Sequence, residues 1–198
     1  MAPQWTGGPA VPPPHDMPSP PAFGIATTPT EHSLQPVELA RWLEVRGFDA
    51  LFVGEHTHLP MAPHRYGDGD LVDFDPIWCR PKPLQKGGPS ILVGGGMKPQ
   101  GVARRVVGYS DVWIPLDAGH EIETTLAAIR AEVSRVGRPM ESLDLTVGLG
   151  LMAPVTGKRI HEVVELGFRR VLFVPGRKSR DEAWEALEAF AELNSRFA

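Results

Sequence analysis

The chain has 198 residues, of which 42% are hydrophobic and 22% charged, as is usual for a globular protein. Its formal net charge of −4 comes without a face rich in lysine and arginine, which argues against a nucleic-acid partner. No apolar run approaches the roughly 18 residues of a membrane helix, and the N-terminus lacks the apolar stretch of a secretory signal. With one cysteine, Cys79, the sequence predicts a cytoplasmic protein without disulfides and without a membrane partner.

The first 21 residues form a proline-rich extension. The recurring prolines leave no room for a helix or a paired strand, and such a segment cannot bury a core. We therefore predict that residues 1–21 are disordered and that residues 22–198 form one domain.

From residue 22 onward, short apolar runs alternate with amphipathic stretches. The runs are apolar throughout, as in parallel strands that are covered on both faces. Strands are predicted at 22–27, 50–54, 90–94, 111–115, 143–148 and 169–175. Helices are predicted from residue 35 to Gly47, from Pro99 to Gly108, over 121–136, over 157–166 after Thr156, and after Ser179, which suits a capping box with Glu182.

Strict βα order predicts an α/β fold with parallel strands, either a (β/α) barrel or a doubly wound sheet. Residues 55–89 interrupt the order, because no helix-like stretch separates the second strand from the third. A complete eight-stranded barrel takes ~250 residues, so a barrel built from this chain lacks about two βα units.

Polar side chains follow the second predicted strand, at the end where parallel βα folds bind ligands. Glu55 and His56 come first, and His58 follows them. We predict a role in proton transfer or substrate contact for His56 or Glu55, and the alternative is that these groups only satisfy the loop backbone. No metal site is predicted, because His56, His58 and His64 lack a matching set of carboxylates or cysteines.

A glycine-rich turn follows the third predicted strand. Gly94, Gly95, Gly96, Met97 and Lys98 lead directly into a helix with Pro99 in its first turn. Bare backbone N–H groups beside a helix N-terminus suit a phosphate, and the alternative is a tight turn without a ligand. The turn is not a dinucleotide fingerprint, since Pro99 stands at the third glycine position. It is not a P-loop either, since Val102 and Ala103 replace its Lys and Ser/Thr.

Several blocks together resemble the luciferase-like monooxygenase superfamily, and most closely its branch of F420-dependent oxidoreductases. They are FGIATT, ELARWLEVRGFDALFVGEHTHLP, VDFDPIWCRPKPLQKGGPSILVGGG, ARRVVGYSDVWIPL and the closing strand and helix. The resemblance implies a (β/α)8 barrel with F420 or FMN at its C-terminal face. A long segment of the family is missing after GEHTHLP. The strands present therefore correspond to the first, the second and the last four, which predicts an incomplete barrel with about six parallel strands.

The resemblance also implies roles for particular residues. His56 matches a histidine near the deazaflavin ring, and Gly94 to Lys98 match the turn that holds the cofactor phosphate. Trp78 and Trp113 match aromatic positions that line or support the substrate pocket, to which we also assign His58.

The predicted function is hydride transfer between F420, or alternatively FMN, and a small organic substrate. The alternative is an inactive barrel remnant, or a subunit that associates into a homo-oligomer because an open barrel exposes strand edges.

Overall fold

Six parallel strands form the central sheet in the part of the chain that the structure describes. The computed structural model describes residues 21–27, 35–53, 90–95, 98–117, 121–175 and 179–197. The strands are β1 (Ala22–Thr27), β2 (Ala50–Val53), β3 (Leu92–Gly94), β4 (Val112–Ile114), β5 (Asp144–Leu149) and β6 (Arg170–Phe173). The helices are α1 (Pro36–Glu44), α2 (Pro99–Tyr109), α3 (Ile122–Val136), α4 (Gly157–Glu165) and α5 (Arg180–Ser195). The predicted extension, apart from Pro21, and the interruption at 55–89 lie outside the described residues.

The strand order is β2-β1-β6-β5-β4-β3, and all neighbouring strands are parallel. From β3 to β6, each strand is added on the same side of the strand before it, and β6 then pairs with β1. A doubly wound sheet would reverse direction at a switch point, whereas this cyclic order is that of a barrel. The structure thus confirms the predicted fold class, an incomplete (β/α)8 barrel with six parallel strands.

The predicted element boundaries are confirmed to within a few residues. The strand predicted at 111–115 is shorter, and a 3-10 turn at Met140–Ser142, which the sequence did not predict, precedes β5. Both predicted helix caps are present. The Thr156 hydroxyl accepts from the Arg159 N–H at 3.2 Å, and Ser179 and Glu182 form the reciprocal bonds of a capping box.

Aromatic residues of the sheet pack against the helices. Phe23 and Phe173 point toward the helices, where their rings stack 5.5 Å apart and Phe173 also stacks on Phe190 of α5 at 4.6 Å. The opposite face carries residues of mixed size, among them Gly24, Phe52 and Leu172. A Cβ on Gly24 would lie 2.7 Å from the Ala50 carbonyl oxygen, so glycine is required where β1 and β2 approach each other.

Two turns from a helix into a strand repeat one geometry. RGFDALFV joins α1 to β2, and LGFRRVLF joins α4 to β6. Gly47 (φ 71°) and Gly167 (φ 102°) take the left-handed conformation that favours glycine. The next N–H, that of Phe48, bonds back to the Leu43 carbonyl at 3.2 Å, and Phe168 forms the corresponding bond in the second turn. This helix-ending motif buries both phenylalanines and sets where the next strand begins.

Buried Arg138 holds the carboxyl end of α2. Its side chain donates to the carbonyls of Val106 (3.2 Å) and Ser110 (2.9 Å), among others, and to the hydroxyl of Ser142 (2.8 Å). Such carbonyls have no partner within the helix itself. Burial lowers the pKa of Arg138, against the opposing attraction of Asp111, but a guanidinium remains protonated. The residue therefore joins α2 to the turn before β5.

Helices α1 and α5 pack against each other through aromatic and polar contacts. The Trp42 and Trp184 ring centroids are 5.6 Å apart, and the Arg46 guanidinium lies 4.0 Å above the Trp42 ring. Asn194 donates to the Arg46 carbonyl at 3.1 Å. The first and last helices thus meet, as the first and last strands do.

Candidate functional site

The carboxyl ends of all six strands lie along one edge of the sheet, because the strands are parallel. Ligand sites of (β/α) folds are found at this edge. Of the predicted site residues, the structure describes Gly94, Gly95, Lys98 and Trp113, and it brings them together between β3, β4 and α2. The others, Glu55, His56, His58, Trp78, Gly96 and Met97, lie outside the described residues, and their roles remain predictions.

The glycine turn begins where β3 ends. Gly94 is exposed and pairs in register with Ile114 of β4. Gly95 has a φ of 99°, which an L side chain rarely adopts, so this position depends on glycine. At the other end of the turn, Lys98 precedes α2 and its side chain makes no capping bond, and the first turn of α2 contains no acidic residue. Within the described residues, neither a side-chain cap nor an acidic residue of the first turn offsets the positive end of the dipole of α2.

Arg105 is a candidate binding residue that the sequence analysis missed. Its Nη2 lies 4.0 Å from the position that a Cβ on Gly95 would occupy. Helical side chains point toward the N-terminus of their helix, which explains how a residue in the middle of α2 reaches a turn that precedes the helix. That tilt is the signal that could have identified Arg105. Within the described ranges, neither Arg105 nor Lys98 forms an ion pair.

Trp113 lies beneath the turn. The side chain has no exposed surface, and its ring packs against Phe168 with a centroid distance of 5.7 Å. The indole N–H donates to the Gly95 carbonyl oxygen at 3.1 Å. A role of Trp113 in the substrate pocket remains a prediction. In the structure its indole contacts the glycine turn.

A second group that the sequence analysis missed lies at the same edge, after β4. The Arg159 guanidinium, in the first turn of α4, binds both carboxylate oxygens of Asp117, with Nε to Oδ2 at 3.0 Å and Nη2 to Oδ1 at 3.2 Å. Its Nη1 also contacts Glu162 at 3.0 Å and Glu123 at 3.7 Å. Hydrogen bonding to Asp117, and less strongly to Glu162, raises the pKa of Arg159, although burial acts in the opposite direction. The pair lies 42 positions apart in sequence, which is why no local pattern identified it.

The Arg159 group differs from the glycine turn in its electrostatics. Three carboxylates surround Arg159, so little positive charge remains there for an anionic ligand. Its effect is structural, because it ties the loop after β4 to the start of α4. Among the described residues at this edge, Arg105 beside Gly95 has no such carboxylate partner.

The described residues were also compared with the requirements of a metal site and of a membrane-spanning helix. In the part of the chain that the structure describes, no three His, Cys, Asp or Glu side chains are grouped as metal ligands. Likewise, none of the described helices is both long and apolar enough to cross a lipid bilayer.

No protein-family model matches the chain, and no curated protein is significantly similar to it. Functional inference therefore depends on the residues and the geometry of the site.

Proposed function

We propose that this chain is an oxidoreductase that exchanges hydride between F420, or alternatively FMN, and a small organic substrate in the cytoplasm. The observation that carries the proposal is the glycine turn between β3 and α2, where a left-handed Gly95, an uncapped helix start and the Arg105 guanidinium come together. This combination suits a phosphate, which both cofactors carry. The ring of the bound cofactor supplies the hydride chemistry, and the protein supplies binding and orientation.

In this proposal the described residues of the glycine turn and of α2 bind the phosphate. In the proposal, Arg105 beside Gly95 and Lys98 before α2 provide positive charge, and backbone N–H groups at the start of α2 provide hydrogen bonds. In the same proposal His56 or Glu55 moves a proton or orients the ring, and His58 and Trp78 contact the substrate. The resemblance to luciferase-like oxidoreductases supports the roles of His56 and Trp78, and the position after the second predicted strand supports those of Glu55 and His58.

Titration of the purified chain with F420 and with FMN, followed by cofactor fluorescence, tests the proposal. We expect saturable binding of at least one of the two in the micromolar range. Absence of binding of both at tens of micromolar would falsify the proposal.

Two neighbouring arginines of α2 make a matched pair for locating the site. Arg105 reaches Gly95, whereas Arg104, equally exposed, lies near Glu132 of α3. We expect Arg105→Gln to weaken cofactor binding roughly fivefold, since partly solvated charge contacts are worth about 1 kcal/mol, and Arg104→Gln to leave it unchanged. Equal effects of the two substitutions would place the phosphate elsewhere.

A second candidate function is that of an associating subunit without catalytic activity. The observation that favours it is the open sheet: in the described strands β2 and β3 each have one neighbour, and apolar side chains near both are exposed. Size-exclusion chromatography combined with hydrogen exchange distinguishes the candidates. A well-protected monomer that binds cofactor supports the oxidoreductase, and an oligomer that binds none supports the subunit.

A further inference from the structure

We draw no further inference here: the strongest candidate, the exposed apolar patch of Leu151 and Met152 in the loop after β5, lies at the carboxyl edge of the sheet, and nothing in the described part of the chain shows what covers it.

Discussion

A single guanidinium, that of Arg138, satisfies several backbone carbonyls at once. The side chain is 6% exposed, and the carbonyls it reaches belong to the end of α2 and the turn after it. A residue with this many buried partners is costly to remove, because each carbonyl left without a donor keeps its desolvation penalty. Its position after Gly137 in sequence gives no indication of partners about 30 residues away.

We expect Arg138→Met to lower the free energy of unfolding by about 3 kcal/mol, since methionine fills part of the space and donates nothing. Arg135→Met is the control, because Arg135 is exposed and bonds only to Glu132 on the surface of α3. Urea denaturation of both variants measures the difference. If both variants unfold at the denaturant midpoint of the unmodified chain, the hydrogen bonds of Arg138 contribute nothing to stability.

At the level of elements, the two Gly-Phe turns set where helices end and strands begin. Gly47 and Gly167 have positive φ, and in both turns the following phenylalanine is buried. Nothing lies within 4 Å of a Cβ placed on Gly47, so the demand for glycine at that position comes from the backbone conformation alone. The turn occurs once before β2 and once before β6, far apart in sequence. In the sheet these two strands are the neighbours of β1.

Alanine substitutions separate the effect of φ from that of helix propensity. We expect Gly47→Ala and Gly167→Ala each to lower the stability by about 1 kcal/mol, because alanine is strained in the left-handed region. Gly108 lies inside α2 with open space around its Cβ position, and there we expect alanine to raise the stability by about 0.5 kcal/mol. Thermal and urea unfolding measure the expected loss of stability at Gly47 and Gly167 and the expected gain at Gly108. A stabilising effect at Gly47 would show that the turn does not hold its left-handed geometry in solution.

At the scale of the whole molecule, the described residues form a sheet of six strands in barrel order. The described strands leave β2 at one end of the sheet and β3 at the other. Val53, beside the first edge, is 50% exposed, and Leu92, on the second, is 41% exposed. Natural sheets commonly protect their edges with charged residues or proline, and neither Ala50–Val53 nor Leu92–Gly94 contains one.

We therefore expect the chain to self-associate as its concentration rises, and we expect lysine at the edges to oppose this. Val53→Lys and Leu92→Lys should shift the sedimentation profile toward the monomer, whereas Val45→Lys, at an exposed site after α1, should not. Analytical ultracentrifugation across a concentration series measures the effect. A chain that stays monomeric at the highest concentration would show that these edges do not associate.

The sequence by itself determined the elements and their class. The apolar runs, the capping box at Ser179 and the Thr156 cap are local signals, so the sequence predicted six strands, five helices and an α/β fold. The glycine turn was predicted for the same reason, because its signal lies within five consecutive residues. Local signals could not predict the residues that support and surround that turn.

Only the tertiary structure decided between a barrel and a doubly wound sheet, because both have the same βα order and differ only in which strands pair. It also placed Trp113 beneath Gly95, 18 positions earlier in the chain, and Arg159 beside Asp117. Such contacts depend on how strands and helices pack, and no periodicity in the sequence records them. The physical reason is that hydrogen bonds along one element follow its repeat, whereas those between elements depend on the whole arrangement of the chain.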